Sequence, residues 1–344
     1  MDTSGTHHTS GTGGRFEEAL ERLHASGPER LGRLTNHAPM VVEALAARGH
    51  ADAVHRWLDL YTRKLEDFPD RVAPVTDDDW PSALGDPRRA ADWIDFFARL
   101  LAERPWRDVL AEWWPRLLPG MYGGSTHPVI RVGHAVRALE SAENTPRLTE
   151  LAHGLGYWAA RHRPVTGIAA LPGAPTAAQA LDAVPAITGE PQGFPARLAA
   201  VRRLPVWADD VTDPDTAHRR LAELVRAATH RYATHGHGDA IMLVHAATAP
   251  NAVLRTLDSL PRELWAPSLR AAWTASAAVT AMYAPAEPVA CPPAARATAE
   301  EVLERALAHG DEHVVKFADT ALDVGDERAL AAAGRAIELN SPLD

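Results

Sequence analysis

The chain has 344 residues, 46% of them hydrophobic and 23% charged, and a formal net charge of -10. That composition is globular, and its acidity speaks against nucleic acid or an anionic membrane as the main partner. A lone cysteine, Cys291, excludes an internal disulfide and any cysteine-based zinc or iron–sulfur site.

Residues 1–14 are rich in Gly, Ser, Thr and His with no apolar core, so they read as a disordered tail and not as a secretory signal. The folded domain is expected over 15–344. Phe16, Leu20 and Leu23 recur at helical spacing. Asn36 is placed to cap the next helix, with Pro39 in its first turn and Gly49 as its stop. Val54, Trp57, Leu58, Tyr61 and Leu65 mark a third helix, and 69–89 reads as a loop. Strong helical stripes follow at Trp93, Ile94, Phe96, Phe97, Leu100 and Leu101, then at Trp106, Leu110, Trp113, Trp114 and Leu117.

After Pro119-Gly120, a Gly-rich stretch leads into Thr126-His127-Pro128 and a helix to about Leu139, with another near 147–162. Residues 163–195 are Pro- and Gly-rich, a lid or connector with one short helix at most. Helices are expected near 215–234, 251–259 and 262–282. Asp239 would cap one through Ile241, Leu243 and His245, ended or kinked before Pro250. Past a Pro-rich loop at 284–294, the last helices fall near 297–309, 311–323 and 326–339. Strand-like alternation is nearly absent. The expected fold is all-α, a multi-helix single domain with long Pro/Gly-rich loops. No run of about 18 apolar residues occurs, so no membrane span is expected and a cytoplasmic protein is.

No motif for nucleotide binding or a serine nucleophile stands out; Gly11-Thr12-Gly13-Gly14 follows no strand. The chemistry lies in histidines. His37, His127, His245 and His313 each sit among apolar or small residues, in segments spread along most of the chain. Imidazole is the commonest metal ligand, so their convergence would make a buried metal site. Each also has a plainer reading. His245 would be a core histidine bonded to a carbonyl, His37 and His127 turn or cap residues, and His313 and Lys316 would pair with carboxylates at the surface.

Lys316 is flanked by Val314, Val315 and Phe317, which argues for at least partial burial. A buried lysine must be paired or neutralised, and reaction with carbon dioxide would turn it into an anionic oxygen ligand. His134, seven residues after His127, is a reserve ligand or a residue supporting the ligands. His235 and His237 form a His-Gly-His turn that reads as an exposed loop, with weak metal binding or an entrance lining as the alternative. His50, His55, His153, His162, His218, His230 and His309 read as surface helix residues. Trp106, Trp113 and Trp114 read as core.

Four segments together resemble the questin oxidase-like proteins: Asn36-His37-x-Pro39-Met40, Gly123-Gly124-x-x-His127-Pro128-x-Ile130-Arg131-x-Gly133, His245-Ala246-x-Thr248-Ala249-Pro250, and His313-x-x-Lys316. They span about residues 35–320. The resemblance implies an oxygenase that uses O2 to open a ring of an anthraquinone-type polyketide. It implies Fe(II) held by His37, His127, His245, His313 and carboxylated Lys316, with one octahedral position open. Arg131 would orient a phenolate or quinone oxygen, unless it makes a salt bridge on the helix surface. His134 departs from the aromatic residue of fungal members, which leaves room for a rearranged ligand set. Competing expectations are a metal-independent, NADPH-dependent Baeyer–Villiger-type monooxygenase, a zinc hydrolase at the same histidines, and a non-catalytic helical scaffold.

Overall fold

The computed structural model describes residues 10–31, 34–189, 191–290 and 297–343. Most of the expected tail, residues 1–9, and Cys291 lie outside the described residues. The first helix, α1 (Ser10–His24), begins earlier than its apolar stripe from Phe16 implies. A short antiparallel pair, β1 (Glu29–Arg30) and β2 (Leu34–Thr35), leads to α2 (Ala38–Ala47) and α3 (Ala51–Tyr61). The N-cap of α2 is His37 and not Asn36, which stands one residue earlier and accepts from Ala38 N through its side-chain oxygen at 3.0 Å. Gly49 closes the helix at φ +86°, a conformation in which any side chain is strained.

A single turn, α4 (Trp80–Ala83), lies within the expected loop, followed by α5 (Ala90–Glu103), α6 (Trp106–Leu117), α7 (His127–Ser141) and α8 (Thr145–Arg161). The Pro/Gly-rich region 163–195 holds β3 (Ala169–Leu171) and one short helix, α9 (Ala177–Asp182); α10 (Phe194–Ala200) begins at its end, and β4 (Arg203–Pro205) lies beyond it and pairs in parallel with β3. Then come α11 (Pro214–His235), α12 (His245–Thr256), α13 (Trp265–Tyr283), α14 (Ala299–His309), α15 (Glu312–Val324) and α16 (Glu327–Leu339). The chain is predominantly α-helical, as its patterning implies. No helix among the described residues is long and apolar enough to cross a membrane.

One boundary differs from expectation. Asp239 accepts from Met242 N at 2.9 Å in a turn, and the helix proper starts only at His245. Pro250 then lies inside α12 and ends nothing. Proline cannot donate to the carbonyl four residues back, that of Ala246. Ser276 of α13 supplies the missing donor, its hydroxyl lying 2.7 Å from Ala246 O. A neighbouring helix thus makes the proline tolerable, which local sequence cannot show.

Three apolar clusters make up the interior. The largest spans α5 to α13, a second joins α1 to α3, and a small alanine-rich one joins α14 to α16. α15 touches all three, through Phe317, Val315 and Val314 respectively. Most helices bury one face. α2, α7, α8, α12, α13 and α15 are instead buried on every side over long runs, 38–45, 127–136, 150–160, 245–253, 275–282 and 312–321.

Candidate metal centre

Four of these inner helices, α2, α7, α12 and α15, begin at one place, and each brings a histidine to its first turn. His37 immediately precedes α2, His127 and His245 open α7 and α12, and His313 is the second residue of α15. All four are buried. Ring nitrogens of His37, His127 and His313 lie within 4.8 Å of one another. His245 joins them through His127, whose Nε2 is 2.8 Å from both His37 Nε2 and His245 Nε2.

Backbone carbonyls set the tautomers of three rings. His37 Nδ1 is 2.8 Å from Thr35 O, His127 Nδ1 is 2.7 Å from Gly124 O, and His245 Nδ1 is 3.0 Å from Met242 O. A carbonyl only accepts, so the proton sits on Nδ1 and each Nε2 presents a bare lone pair. Burial, and Lys316 and the neighbouring imidazoles, hold all three pKa values well below 6.5, so none is protonated at neutral pH. Lone pairs therefore face each other at 2.8 Å with nothing positive between them. A metal ion resolves this contact. Nitrogen ligands at about 2.1 Å and at right angles on an octahedron lie about 3 Å apart, the spacing found here. The donor set fits a metal ion.

The loop that delivers His127 is strained. Gly124, Ser125 and Thr126 all have positive φ, at +56°, +54° and +67°. Such a conformation is costly for a β-branched residue and persists only where surroundings impose it. Gly123 is fixed by contact: a Cβ there would lie 1.5 Å from Arg161 O. Gly133 plays the same part deeper in α7, where a Cβ would meet that of Ala252 in α12 at 2.6 Å. The close helix approach it permits brings His127 and His245 together.

Lys316, one turn after His313, is 1% exposed and its Nζ has no hydrogen-bond partner. Burial pulls its pKa down from 10.5 to about 7, against the pull of Glu312 and Asp311. Buried Glu312 lies just outside the centre and accepts from Arg30 at 2.5 Å. Asp311 caps α15, and His313 Nδ1 stands 3.7 Å from its carboxylate, too far for a direct hydrogen bond.

The other sequence candidates lie elsewhere. Arg131 is buried and bound through two nitrogens to Glu150, at 2.5 and 2.8 Å. His134 donates from Nδ1 to Glu43 at 2.6 Å, two helical turns beyond His127. His153, expected on the surface, is buried at 4% beside His24 and Phe68, and burial lowers its pKa to about 3. It faces inward because α8 is buried throughout its second half. His50, His55, His162, His218, His230 and His309 are half-buried, and His230 pairs with Asp326 at 2.7 Å.

His237 is exposed, whereas His235 lines a groove of about 490 Å³ with Leu181, His230, Arg231 and Arg328. A narrow recess of about 10 Å³ shares Leu181, Arg231 and His235 with the groove and reaches Leu243 and Ala246, which flank His245 in sequence. Sequence reasoning overlooked Glu43 and Asp319. Both stand out in retrospect as the single acid within an apolar run of their helix, Met40-Val41-Val42-Glu43-Ala44-Leu45 and Phe317-Ala318-Asp319-Thr320-Ala321.

Comparison with family models matches residues 34–321 to the questin oxidase-like family. The chain belongs to the questin oxidase-like family. No curated protein matches the chain in a sequence search. The matched segment runs from β2 to α15 and so contains all four imidazoles and Lys316. Membership of the questin oxidase-like family supports an oxidoreductase of the oxygenase type, acting on a small anthraquinone-type molecule with O2.

Proposed function

We propose that this protein is a non-haem iron dioxygenase that cleaves a ring of a polycyclic, anthraquinone-type substrate. The iron would be held by His37, His127, His245 and His313, with carboxylated Lys316 as a fifth ligand. The observation that carries this reading is the pair of 2.8 Å contacts between imidazole nitrogens whose protons are committed elsewhere. Iron(II), when bound, supplies electrons to O2.

The chain's own residues prepare that chemistry. Thr35, Gly124 and Met242 carbonyls keep three imidazoles neutral and aimed inward, and outer hydrogen bonds of this kind raise ligand basicity. Four helix N-termini point at the site, so their dipoles make it electropositive. A divalent cation there needs a compensating anion. Lys316 can provide one: burial lowers its pKa to about 7, which makes the neutral amine accessible at neutral pH. The neutral nitrogen attacks CO2, a C–N bond forms, one C=O π bond opens onto oxygen, and the ammonium proton is released to solvent. The neutral amine at position 316 becomes an anion. The groove beside Arg231 and His235, with a volume of about 490 Å³, has the size of a site for a drug-sized ligand.

The test is metal analysis of untagged protein purified without added metal, followed by O2 uptake with anthraquinones in the absence of NADPH. Near one iron per chain and substrate-dependent O2 uptake are expected. Zinc in place of iron, no metal, or a strict NADPH requirement would each overturn the reading. Lys316→Ala should retain less than about a tenth of the wild-type iron.

A further inference from the structure

The four imidazole-bearing helices are tied to one another a second time, away from the imidazoles. Asp319 of α15 lies six residues after His313 and is completely buried. Its carboxylate accepts from Arg48 Nε at 2.7 Å, from Arg137 Nη1 and Nη2 at 3.1 Å each, and from Arg255 Nη2 at 2.7 Å. Arg48 is the C-terminal cap of α2, Arg137 belongs to α7 and Arg255 to α12. Each of the other three helices thus sends one guanidinium to a single carboxylate on the fourth.

The tie has side branches along the same helices. Glu43 of α2 accepts from Arg137 Nε at 2.8 Å and from His134 Nδ1 at 2.6 Å. Asp323 accepts from Arg255 Nε at 2.8 Å and from Asn251 at 2.9 Å. Three arginines thus meet three carboxylates. The tie residues follow their histidines by six to eleven positions, or about 9–16 Å of helix. The four helices are therefore fixed at both ends of a shared parallel run. Guanidinium–carboxylate pairs of this kind fix angle as well as distance.

We propose that Asp319 is a positioning residue for the metal centre. By fixing the rotation and height of α2, α7 and α12 against α15, it sets the mutual placement of His37, His127, His245 and His313 without touching any of them. The inference rests on the metal-centre reading above. Removing the carboxylate leaves three half-buried guanidinium groups without their shared anion, and their repulsion drives the helices apart. Helices are stiff, so a displacement at the tie moves the imidazoles at the other end, and metal sites tolerate only about 0.5 Å of misplacement.

Cobalt(II) is the probe, read by its affinity and by its visible absorption, which reports coordination number and geometry. Wild-type protein is titrated first; failure there removes the metal-centre reading itself, before any variant is tested. Asp319→Asn should bind cobalt about ten-fold more weakly, or worse, with an altered spectrum. Arg255→Gln, which unties α12 alone, should shift both readouts in the same direction by less.

The control is Asp92→Asn. Asp92 is a buried acid on α5 that accepts from Val72 N, Ala73 N and Arg89, and none of the four imidazoles lies on α5. That variant should lose stability yet keep the wild-type affinity and spectrum. Wild-type cobalt binding in Asp319→Asn would overturn the proposal, as would an equal loss in Asp92→Asn. If Asp319→Asn does not fold, Arg255→Gln decides: unchanged affinity and spectrum overturn it, and a weakened, altered site supports it.

Discussion

The two ends of the inner helix bundle hold comparable numbers of polar side chains in opposite conditions. At the far end, every buried side-chain nitrogen and oxygen of Glu43, Asp319, Arg48, Arg137 and Arg255 has a partner. At the near end, Lys316 Nζ, His313 Nδ1, Thr126 Oγ1 and Thr248 Oγ1 have none, and three imidazole nitrogens crowd together lone pair to lone pair. Folded proteins leave few buried polar atoms unsatisfied, so a cluster of them marks a place arranged for something other than the fold. One end of each helix is complete in itself, and the other leaves buried polar atoms free for a ligand.

Two substitutions on α7 would break that contrast most visibly. Arg137→Met removes the guanidinium shared by Glu43 and Asp319 and leaves both carboxylates short of charge. Breaking a buried pair from one side costs about 3–5 kcal/mol, and the partial exposure of Arg137 places the loss toward the lower figure. His127→Leu, ten residues earlier, removes the imidazole in contact with two others and fills its space with an apolar group. The metal-free protein should lose only about 1–2 kcal/mol, chiefly the bond from His127 Nδ1 to Gly124 O, because no satisfied bond between side chains is given up. Urea unfolding of both variants, freed of metal, measures the difference. A His127→Leu loss as large as that of Arg137→Met would mean that the imidazole cluster is an ordinary structural core.

Much of this was legible in sequence, and the failures have a common cause. Asn36, Pro39, Gly49 and the Gly-rich approach to His127 act locally, so the starts of α2 and α7 could be read from neighbours in the chain. The four histidines could be grouped because each stands in a small-residue or apolar setting and the resemblance orders them. The tie at Asp319 could not, since its partners are 271, 182 and 64 positions away and its arginines look like solvated helix charges. The same holds for Pro250, rescued by Ser276 from another helix, and for His153, whose burial depends on how α8 packs. Tertiary contacts decide each of these cases.

A smaller effect should appear in the pH dependence of the metal-free protein. His37, His127 and His245 are held well below their ordinary 6.5, so between that value and lower pH the unfolded chain binds protons that the folded chain does not. Stability must therefore fall as pH drops below about 6.5. Lys316, lowered from 10.5 to about 7, acts in the same sense higher up, and stability should rise with pH between those values. The buried His134, also lowered, adds to the imidazole slope. The ionic end responds later: Glu43, held near 2, keeps its contribution above 4.5 and loses it as pH falls toward 2. Urea midpoints from pH 5 to 8 should slope upward for wild type and less steeply for His127→Leu. Equal slopes would mean that His127 is free to take up a proton in the folded state.

The smallest effect concerns the strained approach to the near end. Thr126 holds φ +67° although it is β-branched, and its buried hydroxyl has no partner. Glycine adopts that conformation without penalty, so Thr126→Gly relieves about 1 kcal/mol of strain and removes an unsatisfied oxygen. Greater freedom of the unfolded chain offsets part of that gain. Metal-free stability should therefore change by no more than about 1 kcal/mol. Metal affinity should move further, because the strained turn fixes the carbonyl of Gly124 under His127 Nδ1 and so sets the direction of its lone pair. A few-fold weaker cobalt affinity with near-constant stability would place the strain in the service of the ligand. Unchanged affinity with a clear gain in stability would make the turn a plain defect of the fold.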